Sequence, residues 1–255
     1  MRPGIIHTDN VRRGLFAVAD LKRRCGQASK RNLLVLEGLT GAGKTCFSEW
    51  VYTQNTEMHY LEADPDWTAS WLMRDVAGAL GHPRGHSIEA NKRQVVEGLK
   101  SGLHMLIMDE ADRVIRSTRL LDTVRGLHDA GLPLILVGES GAWGSICRKS
   151  PRFADRVGQV LTFGPVAAAE IEAAARELAD LRLAPDLAAY IQQQAGGNFR
   201  RAIKILEELE GVAKANVSEK GEITRAGINQ ALKNLQLSAD REQRRVSRRA
   251  AAAGG

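Results

Sequence analysis

Residues 38–45 read GLTGAGKT, and residues 109–110 are an adjacent Asp and Glu that close the apolar run 104–108. The first segment fits GxxxxGK[ST], a spacing with a specific chemistry. Glycines let main-chain N–H groups approach a chain of phosphates, the N-terminus of a following helix adds a favourable dipole, and a lysine neutralises β and γ oxygens. The expected phosphate loop is Gly38, Leu39, Thr40, Gly41, Ala42, Gly43, Lys44 and Thr45, with the Thr45 hydroxyl as a ligand to Mg2+. Asp109 is expected to hold the same Mg2+ through water. Glu110 would orient and polarise an attacking water, the work of a catalytic base in phosphoryl transfer. A guanine reader of the [NT]KxD type is absent from residues 132–237, and Asn91-Lys92 lacks the following Asp and precedes the acidic pair. ATP is therefore the expected nucleotide.

Such a site needs strands that end at one edge. Five apolar bursts have strand length: Leu33–Leu36, Met58–Ala63, His104–Met108, Pro133–Val137 and Val160–Phe163. They are separated mostly by helical patterns, which predicts an α/β fold with a parallel sheet covered by helices on both faces. The phosphate loop follows the first burst and the acidic pair the third, so both fall at the strands' C-terminal edge, where open α/β sheets bind ligands. A helix is predicted over 10–24, with Val11, Leu15, Val18 and Leu21 on one face and Asn10 as cap. After Pro165 only helices are expected, over Ala167–Leu181, Asp186–Gln194, Phe199–Asn216 and Thr224–Leu235. The organisation read from these patterns is a basic arm and helix (1–31), a nucleotide-binding α/β domain (32–165), a small all-helical domain (166–237) and a basic, disordered tail (238–255).

Charge sharpens this division. Residues 1–31 hold eight Lys/Arg against Asp9 and Asp20, and residues 238–255 hold five Arg against Asp240 and Glu242, so the +6 chain has basic ends on a −3 body. Basic arms suit phosphate contacts, because each Lys or Arg releases condensed counterions. The three cysteines (Cys25, Cys46, Cys147) are widely spaced and free of CxxC, which implies reduced thiols. His82 and His86 are separated by Pro83 and Gly85, a loop pattern that does not align them on a metal, and Cys46 is expected to pack. No apolar run reaches membrane-spanning length and the first residues lack a signal-peptide pattern, so a cytoplasmic protein without membrane contact is expected.

On these residues the chain resembles the AAA+ P-loop NTPases over about residues 10–237. The resemblance implies a sheet domain with a helical lid, ATP at their junction, and subunits that complete one another's sites. GNFRRA (197–202) is similar to the family's sensor 2 and nominates Arg200 for the γ-phosphate. SPRFADRV (150–157) resembles its arginine-finger segment, offering Arg152 or Arg156, with Arg148 as a third possibility and Arg152 preferred. Sensor 1 departs from the family pattern, since Glu139-Ser140 stands where Asn, Thr or Ser is usual; either Ser140 acts or the sensor is absent, and slow hydrolysis is expected.

The segment EADPDWTASWLMRDVAGALG (62–81) is similar to the transposition ATPases, the family of the Mu-phage B protein, TnsC and TniB. That resemblance implies a homo-oligomeric filament or ring on double-stranded DNA, with ATP and Mg2+, that recruits a DDE transposase and is stimulated by it. Trp67, Trp71 and Leu72 are equally expected as core packing of a helix. Only about thirty residues precede the first strand, too few for the helix-turn-helix domain of the Mu-phage protein, so DNA contacts would come from the body and arms. The implied candidates are Arg84, Lys92, Arg93, Arg113, Arg116 and Arg119. A helicase-loader or clamp-loader ATPase of the IstB type would share the nucleotide site. A non-catalytic adaptor would not need Glu110.

Overall fold

Leu33–Gly38 (β1), Met58–Glu62 (β2), Met105–Asp109 (β3), Leu134–Val137 (β4) and Val157–Phe163 (β5) form one parallel sheet in the order β2-β3-β4-β1-β5. The computed structural model describes residues 4–26, 31–183, 185–215, 222–223, 225 and 227–236. The expected tail, 238–255, lies outside the described residues, as do 1–3 and 27–30 of the expected arm. Two compact units are present, Asp9–Gly164, and Met1–Thr8 with Pro165–Gly255.

In the first unit, β3 and β4 are buried along their whole length and β1 nearly so, as continuous Leu/Ile/Val/Met runs require when both faces are covered. The helices of this unit are α1 (Asp9–Gly26), α2 (Lys44–Thr53), α3 (Ala69–Ala79), α4 (Ile88–Gly98), α5 (Asp112–Ile115), α6 (Thr118–Asp129), α7 (Ala142–Lys149) and α8 (Pro151–Ala154). Side-chain caps start three of them: Thr68 accepts from Trp71 N–H, Ser87 from Ala90 and Ser117 from Leu120. Leu72, Val76, Leu121 and Val124 pack with Leu106, Met108 and Leu136 in one core.

Several expectations are corrected here. β5 begins at Val157, three residues before the expected burst, because an edge strand with exposed Gly158 and half-buried Gln159 carries no apolar run. Asn10 is inside α1 and does not cap it. Its buried amide clasps the end of β5, with Nδ2 donating to Gly164 O at 2.8 Å and Oδ1 accepting from Gly164 N–H at 3.0 Å. Trp67 and Leu72 are core residues, but Trp71 is 53% exposed. Cys46 is exposed, since it lies on the outward face of α2's first turn.

In the second unit α9 (Ala168–Ala179), α10 (Pro185–Ala195), α11 (Phe199–Ala215) and helical residues 227–236 gather around Ile171, Leu187, Ile191, Ile205, Leu206 and Ile228. The unit is not purely helical: Arg182–Leu183 (β6) pairs in parallel with Glu222–Ile223 (β7). A pair of that length leaves no periodicity in a sequence. Asn198 Oδ1 accepts from Arg201 N–H at 3.0 Å and so caps α11.

Candidate nucleotide site

β1 runs straight into the glycine-rich loop, and α2 begins at Lys44, so strand, loop and helix follow without an intervening residue. Two glycines are required by geometry. A Cβ on Gly38 would stand 2.5 Å from Phe163 O of the neighbouring strand, and Gly43, the N-cap of α2, has φ 92°. Gly43 brings no side-chain cap, so the first N–H groups of α2 have no intrahelical acceptor and form a ready anion cradle. Lys44 Nζ donates to the carbonyls of Gly38 at 2.7 Å and Leu39 at 3.0 Å, which holds the ammonium within the loop. Burial pulls the Lys44 pKa down, and the carboxylates of Asp109, Asp112, Glu139 and Glu110 partly offset that pull. In the parallel sheet β4 alone separates β3 from β1, so the acidic pair that ends β3 and the loop that follows β1 lie at the same, C-terminal, edge.

Asp109 is the last residue of β3 and only 4% exposed. Both of its oxygens are held: Oδ1 accepts from Glu110 N–H at 2.7 Å and Oδ2 from the Tyr60 hydroxyl at 2.8 Å. Burial first, then the bond to Asp109, push the Tyr60 phenol far above its ordinary range, so Tyr60 is a donor. Glu110 follows at φ 52°, a left-handed backbone rare for a non-glycine residue, and its side chain is half exposed. Arg113 sits beside it. One guanidinium nitrogen donates to Ala63 O at 2.5 Å and to Glu62 Oε1 at 3.1 Å, while the other lies 4.0 Å from Glu110 Oε2.

The donor set fits a magnesium nucleotide. Backbone N–H groups and Lys44 suit the phosphates, and the Thr45 hydroxyl and Asp109 carboxylate are hard oxygen donors of the kind Mg2+ takes. Bound there, Mg2+ would neutralise phosphate charge. Glu139 is exposed, with Oε1 3.5 Å from Thr40 Oγ1, and its N–H donates to Asp112 Oδ2 at 2.6 Å. Ser140 is exposed next to it.

The other candidate residues are spread more widely. Arg156 is tied to Asp129 by two bonds, at 3.0 and 3.2 Å, and donates to Arg152 O at 2.7 Å; Arg152 and Arg148 are exposed, the latter reaching Ser145 Oγ at 3.1 Å. Arg200 is exposed at the second position of α11, in the helical unit. Arg84, near Asp75 at 3.7 Å, Lys92, Arg93, Arg116 and Arg119 are exposed on the α3–α4 loop, α4 and the α5–α6 segment. Arg113 alone of that group is engaged at the acidic pair. Tyr60, Glu62 and Asp112 were not legible as site residues, since each belongs to no motif. Only the strand register, which sets Glu62 opposite Asp109, reveals the first two.

Residues 27–145 match the family described as AAA domain. That segment is similar to AAA domains, and the chain's fold is that of the AAA+ P-loop NTPases. Its fold is shared by the Aeropyrum pernix ORC1 protein in complex with DNA (19% identity, TM-score 0.65, 91% of this chain and 66% of that one). The Aeropyrum pernix ORC2 protein in its ADP form is similar at 18% identity and TM-score 0.70 (91% and 70%). The Thermotoga maritima RuvB Holliday junction branch migration motor is similar at 19% and 0.61 (90% and 70%). At such identities the likeness is one of fold, and this chain spans about two thirds of the length of these proteins. No curated protein matches it. Among the described residues no helix is long and apolar enough to cross a membrane.

Proposed function

We propose that this AAA domain binds ATP with Mg2+ at Gly38–Thr45 and Asp109, hydrolyses it slowly with Glu110 as base, and uses the nucleotide to control an assembly of copies on double-stranded DNA. The observation that carries the reading is that the phosphate loop with Lys44, after β1, and the Asp109-Glu110 pair, at the end of β3, lie at one edge of the parallel sheet. Arg152 is the favoured finger for a neighbouring subunit's phosphate, because Arg156 is already occupied by Asp129. Arg200, in the segment similar to sensor 2, is the residue proposed for the γ-phosphate. Exposed Arg84, Lys92, Arg93, Arg116 and Arg119 would contact DNA phosphates without reading sequence, joined by Arg113 if it leaves Glu62.

The similarity of residues 62–81 to the transposition ATPases supports a specific setting: the assembly marks target DNA in the cytoplasm of a bacterial or phage-infected cell and delivers it to a DDE transposase. A loader or motor role at other DNA structures is the second reading, favoured by the fold shared with an ORC1 protein in complex with DNA and with RuvB. Electron microscopy of the protein with linear duplex DNA, comparing ATP, a non-hydrolysable analogue, ADP and no nucleotide, separates them. Helical filaments only with ATP or its analogue support the first reading. Discrete rings support the second, and unbound monomers in every condition contradict both.

A further inference from the structure

Parallel pairing sets Tyr60 of β2 opposite Ile107 of β3, two residues before Asp109. Residues two apart on a strand face the same side of a sheet, so Tyr60 and Asp109 are diagonal neighbours on one face, at a spacing a tyrosine ring can bridge. Tyr60 does bridge it: its hydroxyl donates to Asp109 Oδ2 at 2.8 Å. The ring is placed from the other side by Tyr52 of α2, the helix that starts in the phosphate loop, at 6.0 Å between centroids and a 40° tilt. Asp109 is the last residue of its strand, and the terminal torsion of an aspartate is broad unless its oxygens are engaged. Here the Glu110 N–H takes one oxygen and Tyr60 the other, which fixes the carboxylate plane.

We propose that Tyr60 is a positioning residue for the metal-holding carboxylate, orienting Asp109 for Mg2+ as outer partners orient ligating groups in metal sites. This rests on the reading of Asp109 as the residue that holds Mg2+ through water. Tyr60→Phe removes one oxygen and keeps the ring and its contact with Tyr52. Binding of a fluorescent ATP analogue, titrated with Mg2+ from an EDTA baseline, reads the effect without relying on turnover, and Mn2+ bound fractions by electron paramagnetic resonance read the metal directly. Half-saturating metal is expected to rise about 10-fold, with metal-free nucleotide affinity unchanged and the melting temperature lowered only as the loss of one partly buried hydrogen bond requires. An unchanged metal midpoint in Tyr60→Phe overturns the proposal. So does a variant that loses metal-free binding and melts early, because its tyrosine is then merely structural. Asp109→Asn separates the two levels: if it shifts the metal midpoint and Tyr60→Phe does not, only the role of Tyr60 falls, whereas if neither shifts it, the reading of Asp109 falls as well.

Discussion

In the proposed function Lys44, Glu110 and Arg152 have distinct parts in the chemistry and should fail in distinct ways. Lys44 would contribute the charge that holds the β and γ phosphates, so Lys44→Ala should lose ATP binding, which a fluorescent analogue measures. Arg152 acts, in this account, only across an interface. Arg152→Ala should therefore keep nucleotide binding and lose about 10-fold or more of the hydrolysis seen in the assembled state, given the 10³–10⁵ attributed to such arginines elsewhere. Arg156→Ala should do the reverse. It removes a partly exposed ion pair worth about 0.5–1 kcal/mol, lowers the melting temperature slightly and leaves the assembled rate near normal. If Arg156→Ala were the variant that lost assembled-state turnover, the finger assignment would pass to it.

At the scale of elements, the loop and acidic pair are held by contacts that a motif search does not see. α1 crosses α2 at Gly14, where a Cβ would stand 2.5 Å from the Phe47 ring. Helix propensity favours Gly14→Ala by about 1 kcal/mol, yet overpacking costs about 1–3 kcal/mol, so chemical denaturation should show net destabilisation. The sequence revealed the strands of the core because β3 and β4 are continuous apolar runs, and it revealed the phosphate loop because the spacing is dictated by backbone chemistry. It did not reveal the start of β5, the two-residue β6–β7 pair, or the clasp of Asn10 on Gly164, since these depend on neighbours distant in the chain. In the candidate site, Lys44, Asp109 and Glu110 were nominated from type and order, and the fold places them at one sheet edge. Tyr60 and the Glu62–Arg113 pair became visible only once register laid β2 beside β3.

pH should expose another consequence of packing. Burial lowers the pKa values of His59 and His128 below their ordinary 6.5. The folded state then holds fewer protons than the unfolded chain just below that value, so stability present above about pH 6.5 is lost as pH falls toward the folded values. Asp129 and Glu57, whose pKa values are lowered by Arg156 and Lys22, withdraw their contributions only below the ordinary carboxylate range. Melting temperatures should thus decline between pH 7.5 and 5.5, and His128→Gln should flatten that decline. A flat profile in the parent protein would contradict the burial argument.

For the whole molecule, the account is of a nucleotide-controlled assembly on DNA phosphates. Affinity for duplex DNA should fall linearly on a log–log plot against salt, and replacing one arginine proposed to touch phosphate, such as Arg116→Ala, should weaken binding equally on unrelated sequences and reduce the slope by about 1. Because ATP would stabilise an assembly only while bound between subunits, slow hydrolysis is enough to time its release. The most direct test is a paired measurement of ATP binding and phosphate release in the parent protein and in Glu110→Gln, with DNA present. The account predicts that Glu110→Gln binds ATP as tightly as the parent, releases phosphate at least about 100-fold more slowly, consistent with loss of a general base, and stays assembled on DNA. Phosphate release at the parental rate from Glu110→Gln would contradict it.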